Sequence, residues 1–388
     1  MKVLAKNIYL ILRKAFLYSI YYLLPFEKSV INQLKKPIRA ILFIRIDRIG
    51  DLVLSTPTIK TLKKSYPKSQ LIVLASKANH AVLEENPYVD DTIIYNAQKG
   101  FISKIKVIKR LRKYNFDLAI DSYAGNELKT ALIAHLSGAK EKIGFSNYGR
   151  EIFFNKYAIE VNKKQHFVDL TLDVLKPLNI KIDEKFPKIY SSEKEWKWSA
   201  NWIKKKITGI KPIIGIHPGA HYDSQRWLID SFAELTNKLL EDDKYEIIFF
   251  GGPDDVELIK RINSQVHKKA IIFISPNIRE FISLLYYCNI FICNNSGPLH
   301  IAVATNTPTI SFMGPTVKKR WMPLGDIHKV LRIDNLQCIG CNCGSCIIKT
   351  HDCMRLITPA AVIKNIKKLM AKNINNNYMP PYRFVRNI

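Results

Sequence analysis

The chain has 388 residues, of which 47% are apolar and 24% charged, and its formal net charge is +27. This apolar content excludes wholesale disorder, and the length predicts two or three domains. The positive charge favours an anionic partner, such as a phosphorylated substrate or an acidic membrane surface. A lysine-rich composition alone explains much of this charge. Nucleic acid is disfavoured as a partner, because the sequence has no basic region with interleaved aromatics, no zinc-finger spacing and no RNA-binding signature.

The first 37 residues form an apolar, aromatic segment flanked by lysines. Residues 8–26 read IYLILRKAFLYSIYYLLPF, with Arg13 and Lys14 in the middle. A transmembrane span needs ~20 apolar residues, and a central pair of cations is costly there. We therefore expect an amphipathic helix on an anionic leaflet; the alternative is a helix that packs on the protein's own body. Because no cleavage site follows, we expect a cytoplasmic protein, peripheral on the inner face of the cytoplasmic membrane.

Residues 41–64 combine an apolar strand, a charged turn and the start of a helix. The turn contains Arg45, Asp47 and Arg48, and Asp51 stands at the head of the helix. In α/β proteins, ligands bind at the carboxyl edge of the sheet, where this turn is expected to lie. Asp51 is therefore either a cap for free backbone N–H groups or a carboxylate that takes a proton in a cleft.

From residue 39 to about residue 189, strand and helix patterns alternate, which predicts a parallel sheet covered by helices. The predicted strands are residues 40–45, 70–75, 91–95, 116–121 and 142–145, and the predicted helices are residues 104–113, 128–136 and 166–178. Asp121 ends one of these strands, again at the edge where ligands bind. The polar, lysine-rich residues 191–211 mark the natural domain boundary, with a helix over residues 194–206.

A second alternating series follows. Its predicted strands are residues 212–217, 245–250, 270–274, 290–293 and 309–313, and its predicted helices are residues 229–240, 255–266, 278–287, 299–305 and 359–370. Two such halves in tandem predict an α/β protein with two doubly wound domains that face each other across a cleft. We expect these domains at residues 38–195 and 196–372, followed by a flexible basic tail at residues 373–388.

Four strand ends in the second half have small and polar residues: His217-Pro-Gly219-Ala, Gly251-Gly-Pro-Asp254, Asn295-Ser296-Gly297-Pro-Leu-His300 and Gly314-Pro-Thr316. In the third, the free N–H groups of a helix start and the Ser296 hydroxyl suit phosphate oxygens. His300 adds a donor there, and Arg226 adds a cation near the first turn. The sequence has no P-loop and no G-x-G-x-x-G, so the kinase and dinucleotide-binding classes lack their fingerprints.

Together these motifs resemble glycosyltransferase family 9, the ADP-heptose:lipopolysaccharide heptosyltransferases. The resemblance runs in order from about residue 39 to residue 370. The matching stretches are Arg45 to Asp51 with Ser55-Thr-Pro57, His217 to Ala220 with Arg226-Trp227, Gly251-Gly-Pro253, Asn295 to His300 with Thr307-Pro308, and Gly314 to Thr316.

The resemblance implies the GT-B fold, in which two Rossmann-like domains enclose the active site, and an inverting transfer that needs no metal ion. Asp51 matches the family's catalytic base, which takes the proton of the acceptor hydroxyl. The N-terminal domain would hold a lipid-linked saccharide acceptor near Arg45, Arg48 and Asp121. The C-terminal domain would bind the nucleotide sugar and stabilise its leaving diphosphate. The implied donor-side residues are Gly219, Arg226, Asp254, Asn295, Ser296, Gly297, His300, Gly314 and Thr316.

Two departures from the family pattern affect the donor side. The family usually has Asp at the position of Asn295, and often has Lys at the position of Gln225. Asn still hydrogen-bonds a sugar hydroxyl but has no charge, and Gln cannot pair with phosphate as Lys does, although Arg226 stands beside it. We therefore expect heptose transfer from ADP-heptose to a lipopolysaccharide core. The alternative is another nucleotide sugar used for a different surface glycan.

Five of the seven cysteines lie in the spacing Cys338-x2-Cys341-x-Cys343-x2-Cys346-x6-Cys353. Tight C-x2-C pairs have metal-ligand spacing. The segment is interpreted either as a structural zinc site of Cys338, Cys341, Cys346 and Cys353 or as reduced thiols, since disulfides are not expected in a reducing compartment. Cys288 and Cys293 are expected in the core.

Overall fold

The computed structural model describes residues 2–23, 37–160, 162, 164–268 and 270–375. It divides the chain into two compact units, Met1–Lys185 and Phe186–Ile388. Each unit contains a six-stranded sheet whose neighbouring strands are parallel. The predicted α/β class with two parallel sheets is therefore confirmed.

The sheet of the first unit has the order β3-β2-β1-β4-β5-β6. Its strands are β1 (Ala40–Arg45), β2 (Gln70–Ser76), β3 (Asp91–Tyr95), β4 (Leu118–Asp121), β5 (Glu141–Phe145) and β6 (Lys156–Ala158). β1 lies inside the sheet and pairs with both β2 and β4. Residues 41–44 have no exposed surface, which is why the strand is a continuous apolar run and not an alternating one.

The helices of the first unit are α1 (Lys2–Leu23), α2 (Ile49–Val53), α3 (Thr56–Ser65), α4 (Phe101–Arg112), α5 (Lys129–Leu136) and α6 (Phe167–Asp173). The helix expected after the charged turn is divided into α2 and α3. Pro57 lies in the first turn of α3, a position that proline tolerates, whereas one continuous helix would place it in the interior. For the same reason α6 ends well before Pro177, and a short 3-10 turn at Lys176–Leu178 follows.

α1 packs on the body of the first unit through one of its faces. Arg13 donates a hydrogen bond to the Tyr148 carbonyl at 2.9 Å, and Tyr18 donates one to Glu151 at 3.1 Å. Lys14 pairs with Glu151 at 3.4 Å. No described helix combines the length and the apolar character that a membrane span needs. The lysines predicted to flank α1 within residues 24–36 lie outside the described residues, as does the predicted tail from residue 376 onwards.

The sheet of the second unit has the order β12-β11-β10-β7-β8-β9. Its strands are β7 (Ile213–His217), β8 (Glu246–Gly251), β9 (Ile271–Ile274), β10 (Ile290–Asn294), β11 (Thr309–Phe312) and β12 (His328–Leu331). Its helices are α7 (Glu193–Lys206), α8 (Ile229–Glu241), α9 (Val256–Asn263), α10 (Ile278–Leu285), α11 (Gly297–Ala304), α12 (Lys318–Trp321), α13 (Asp352–Arg355) and α14 (Pro359–Asn375).

α7, in the segment expected to separate the domains, is fixed to α10 of the second unit. Ser192 caps α7 and forms a reciprocal capping box with Glu195. Glu195 also binds Arg279 at the start of α10, with 2.6 Å between Oε1 and Nε. The ring of Trp196 contacts that of Tyr286 at a centroid distance of 4.5 Å.

Candidate functional site

The turn after β1 brings Arg45, Asp47 and Asp51 together. The buried Arg45 places its Nε 3.0 Å from Asp47 Oδ1, and its Nη2 lies 3.9 Å from Asp51 Oδ1. Nη1 donates to the Ser122 carbonyl at 2.6 Å, and the guanidinium covers the ring of Phe167 at 5.0 Å. The guanidinium of Arg45 is therefore held in place at the carboxyl end of β1, close to the carboxylates of both Asp47 and Asp51.

Asp51 caps α2 and still has a carboxylate oxygen available for other contacts. Its Oδ2 accepts a long hydrogen bond of 3.4 Å from the backbone N–H of Arg48, so it caps α2. Its Oδ1 faces Arg45, and 15% of the side chain stays exposed. Because the cap uses one oxygen, the carboxylate can also meet a ligand. Arg48 itself is exposed at the head of α2.

Asp47 belongs to this group, although the sequence did not place it in the site. Burial raises the pKa of its carboxyl to about 7; Arg45 opposes this rise, whereas the charges of Asp51 and Asp121 add to it. A carboxyl with this pKa exchanges its proton near neutral pH, a property typical of functional sites. The charged turn was visible in the sequence, but the burial that perturbs Asp47 was not.

Asp121, predicted on the acceptor side, ends β4 and is fully buried against Arg150. Burial raises the pKa of Asp121, while the charge of Arg150 lowers it. Arg150 also donates to the Tyr123 carbonyl at 3.1 Å and to Thr130 Oγ1 at 3.3 Å. This pair supports the strand end from within the unit, and no sequence pattern indicated Arg150.

In the second unit, Asn294 connects the loop after β7 to the end of β10. This asparagine is fully buried. Its Oδ1 accepts from the Trp227 backbone at 2.9 Å, and its Nδ2 donates to the carbonyls of Pro218 and Gly219 at 2.7 and 3.2 Å. It therefore fixes the first of the predicted donor loops, and no sequence pattern indicated this role.

Two predicted donor-side residues, Asn295 and Thr316, meet across neighbouring strand ends. Asn295 Nδ2 donates to Thr316 Oγ1 at 2.8 Å, and both side chains are buried. Arg332 supports the same turn, because its Nη1 donates to the carbonyls of Met313, Gly314 and Thr316 at 3.0, 3.2 and 2.8 Å. Arg332 was also missed in the sequence.

Asp255, and not the predicted Asp254, turns towards the loop after β7. Asp254 is exposed, whereas Asp255 Oδ2 lies 3.5 Å from His217 Nε2. Burial works to raise the pKa of Asp255, but its interactions with His217, the hydrogen bond from the Gly252 N–H and the charge of Arg226 together lower the pKa. A Cβ at Gly219 would overlap Asp255 Oδ1, so this close approach requires glycine.

Arg226 closes the loop after β7 and keeps part of its charge exposed. Its Nε and Nη2 donate to the Ala220 carbonyl at 3.1 and 2.9 Å. Its Nη1 pairs with Asp223 at 2.7 Å, and 40% of the side chain is exposed. The guanidinium of Arg226 is thus held in place, and its exposed part is accessible to an anionic ligand.

The start of α11 has the form predicted for a phosphate-binding turn. Ser296 precedes the helix and its side chain makes no capping hydrogen bond, and Pro298 lies in the first turn. Backbone N–H groups at such a helix start suit a phosphate oxygen. Gly297 begins the helix, and the buried His300 lies further along it, with its ring 6.1 Å from that of Trp321.

The cysteine segment, residues 338–353, packs against the loops that follow β7 and β11. Ser224 donates to the Cys343 carbonyl at 2.6 Å, and the Asn342 N–H donates to the Pro315 carbonyl at 2.6 Å. All seven cysteines are free thiols, and Cys288 and Cys293 are buried as predicted. Within the part of the chain that the structure describes, no group of three or more His, Cys, Asp or Glu residues is placed to hold a metal ion.

The two units therefore offer different chemistry. The first unit presents a partly exposed carboxylate, Asp51, beside a fixed guanidinium, which suits proton transfer to or from a hydroxyl. The second unit presents uncapped N–H groups and the half-exposed Arg226, which suit an anionic ligand such as a diphosphate.

Comparison with known proteins agrees with this chemistry. Residues 104–351 match the model of glycosyltransferase family 9 (heptosyltransferase). The chain is 27% identical over 336 residues to lipooligosaccharide heptosyltransferase 2 of Campylobacter jejuni, a match that covers 83% of this chain and 96% of that protein. It is 30% identical over 290 residues to lipopolysaccharide heptosyltransferase 3 of Escherichia coli, covering 71% and 82% of the two chains.

Solved structures share the fold. A glycosyl transferase family 9 protein from Veillonella parvula superposes with a TM-score of 0.80 at 22% identity, covering 88% of this chain and all of that one. E. coli ADP-heptose lps heptosyltransferase II has a TM-score of 0.71 at 23% identity, covering 86% and 99%. The predicted GT-B fold is confirmed by these likenesses.

Proposed function

Because the chain belongs to glycosyltransferase family 9, we propose that this glycosyltransferase moves a heptose from ADP-heptose to a lipid A-linked lipopolysaccharide core. The observation that carries the proposal is the Asp51 carboxylate, partly exposed and held beside Arg45 at the carboxyl end of β1. The choice of heptose as the sugar is supported by relatives of the chain that are named heptosyltransferase 2 and heptosyltransferase 3.

In this proposal Asp51 is the general base. It takes the proton of the acceptor hydroxyl as that oxygen attacks the anomeric carbon of the donor, which inverts the configuration there. The bond from the anomeric carbon to the diphosphate breaks, and ADP leaves with the electron pair. The N–H groups at Ser296 and Gly297, together with Arg226, stabilise the charge that develops on the diphosphate. Transfer would therefore proceed without added Mg²⁺ or Mn²⁺.

Asn295 favours a second candidate, transfer of a different sugar from another nucleotide sugar. The family usually has a carboxylate at this position, whereas here an amide donates to Thr316. An amide has no negative charge, whereas a carboxylate offers one to the hydroxyl groups of the nucleotide sugar. The fold, the base and the stereochemistry would be the same for both candidates.

Calorimetric binding of a panel of nucleotide sugars, followed by a transfer assay, distinguishes the two candidates. ADP-heptose should bind selectively, and heptose should reach a lipid A-linked core acceptor. Asp51→Asn should lower the transfer rate by about 10²–10⁴-fold while the fold is kept, since the amide oxygen still caps α2. Turnover of another nucleotide sugar but not of ADP-heptose would establish the second candidate. No transfer from any donor would overturn both.

We also infer that α1 attaches the enzyme to the inner face of the cytoplasmic membrane. Its packed face contacts Tyr148 and Glu151, while Leu12 and Phe16 are 64% and 65% exposed. An apolar helical face of this kind suits the boundary between lipid headgroups and acyl chains. Replacing Leu12 and Phe16 together by serine should weaken binding to anionic vesicles, and unchanged binding would contradict the assignment.

The four cysteines Cys338, Cys341, Cys346 and Cys353 are proposed to hold a structural zinc ion. The Cys341 N–H donates to the Cys338 carbonyl at 3.2 Å, and the His351 N–H donates to Cys346 Sγ at 3.3 Å, so tight turns hold the cysteine segment together and support this proposal. The thiols are not arranged as a metal site in the structure, so binding would have to draw them together. Stoichiometric zinc in the purified protein, lost in Cys341→Ser, is the expected result; a metal-free protein would exclude it.

A further inference from the structure

α4 exposes apolar side chains at its start. Phe101 and Ile102 are 75% and 72% exposed, and Ile105 is 38% exposed. The helix holds to the core through its later residues: Leu111 is fully buried, and Val107 and Ile108 pack on the core cluster of the sheet. A helix of the first unit therefore presents large apolar side chains that its own fold does not cover.

The same stretch is strongly basic. Residues 99–113 read KGFISKIKVIKRLRK, with seven lysines and arginines and no acidic residue. Arg110 pairs with Asp91 at 3.2 Å, and Arg112 donates to the Leu136 carbonyl at 2.9 Å. Lys106 and Lys109 are exposed on α4. The surface thus combines apolar groups with several positive charges close to them.

The spacing places these groups together. Ile102, Ile105, Lys106 and Lys109 recur at intervals of three and four residues, so they share one side of the helix. Protein interfaces are depleted in lysine, whereas apolar residues among lysines are typical of helices that lie in the plane of an anionic bilayer. The positive charge of these lysines complements the negative charge of an anionic bilayer, so we infer a lipid surface and not a protein as the partner.

We propose that the α4 surface, made of Phe101, Ile102, Ile105, Lys106 and Lys109, docks on an anionic lipid bilayer. The apolar side chains enter the headgroup region, and the lysines neutralise lipid phosphates. The inference rests on the proposed function, because a lipid-linked acceptor lies in such a bilayer. It adds a second contact, independent of α1, on the unit that contains Asp51.

The test uses the full chain and two double variants. Phe101→Ser with Ile102→Ser removes the apolar groups, and Lys106→Glu with Lys109→Glu reverses the charge. Each should weaken binding to vesicles of equal parts phosphatidylcholine and phosphatidylglycerol by about tenfold or more. Wild-type binding to pure phosphatidylcholine vesicles should be weak, and added salt should reduce binding to the anionic vesicles.

Matched variants on the second unit control for each change. Ile347→Ser with Ile348→Ser removes another adjacent apolar pair, 75% and 56% exposed, and Lys204→Glu with Lys205→Glu reverses two exposed lysines of α7. Both controls should bind the anionic vesicles like the wild type. Equal losses in the controls and the α4 variants, or no loss in the α4 variants, would overturn the proposal.

A transfer assay separates this inference from the proposed function. The α4 variants should lose transfer to an acceptor embedded in anionic vesicles but keep transfer to the same acceptor dispersed in detergent. If the wild type transfers no sugar in either format, the proposed function fails whatever the vesicle binding. If the α4 variants change self-association or nucleic-acid binding and not vesicle binding, the surface belongs to that other partner and the lipid assignment is wrong.

Discussion

Arg45 Nε lies 3.0 Å from Asp47 Oδ1, and the arginine side chain is 2% exposed. The two atoms approach without the alignment of a hydrogen bond, so the contact is mainly an attraction between charges. Arg45 also faces Asp51 at 3.9 Å. When Asp47 gains a proton near neutral pH, the guanidinium is left with one charged partner instead of two.

The raised pKa of Asp47 predicts a pH-dependent stability. Its folded pKa of about 7 lies above the ordinary value near 4, so the folded state holds the proton more tightly. The stability from this group is fully present below about pH 4 and is lost as pH rises through about 7. The charges of Arg45, Asp51 and Asp121 act on this carboxyl. Burial raises the pKa of Tyr123, and the charge of Asp47 adds to that rise.

Asp47→Asn should remove this titration. Relative to the wild type, the variant should gain stability as pH rises from about 5 to about 8, measured by urea unfolding at both values. Asp169→Asn, which removes an exposed carboxylate paired with Lys185, is the matched control and should show no such relative gain. A constant difference between Asp47→Asn and the wild type across this range would refute the assignment.

Arg150→Met should destabilise the first unit severely. Arg150 and Asp121 are both 0% exposed, so the substitution leaves a buried carboxylate without its cation. Loss of one partner of such a pair typically costs about 3–5 kcal/mol. Adding Asp121→Leu should restore much of the loss, because the unpaired charge is then gone. Urea unfolding of the two variants measures both effects, and equal destabilisation of the single and double variants would disprove the coupling.

Asn294→Ala should weaken donor binding. The substitution removes the amide that holds Trp227, Pro218 and Gly219, so the loop after β7 is released. We expect the nucleotide-sugar Kd to rise about tenfold, as loss of hydrogen bonds worth ~1.4 kcal/mol would produce. Asn289→Ala is the control, because Asn289 accepts from Ile213 at the opposite end of β7. It should affect stability but not the Kd measured on folded protein.

Gly219→Ala should also impair donor binding. The added Cβ would overlap Asp255 Oδ1 and approach the His217 ring, so the loop or the His217–Asp255 pair must shift. Misplacement of a binding loop on this scale costs about tenfold or more in kcat/KM. At Gly209 the nearest atom to an added Cβ is 3.9 Å away, so Gly209→Ala should behave like the wild type. Similar kinetics for both variants would show that the loop tolerates the shift.

Much of the fold was predictable because inner strands such as β1 and β10 are buried along their whole length and form apolar runs. β1 and β3 were predicted with the bounds that the structure shows, and the other predicted strands differ by a few residues at their ends. β6 and β12 were missed. Each lies at an edge of its sheet, and its residues, KYA in β6 and HKVL in β12, include lysine or histidine and form no apolar run.

The site was predicted less completely, for a different reason. The turns that contain Asn295 and Thr316 were visible as polar, glycine-containing strand ends. Asn294, Asp255 and Arg332 act through contacts between neighbouring turns, and those contacts depend on the strand order β12-β11-β10-β7-β8. The alternation of strands and helices does not specify this order, so these side chains had no distinguishing signal.

The strand orders also bear on how the chain is synthesised. β1 is the first strand of its sheet to leave the ribosome, and it pairs on both sides. β7 holds the same position in the second sheet. Each sheet can therefore grow outward from a strand that is already present. The last strand of the first sheet, β6, is made before β7, so the nascent first unit can assemble without waiting for the second.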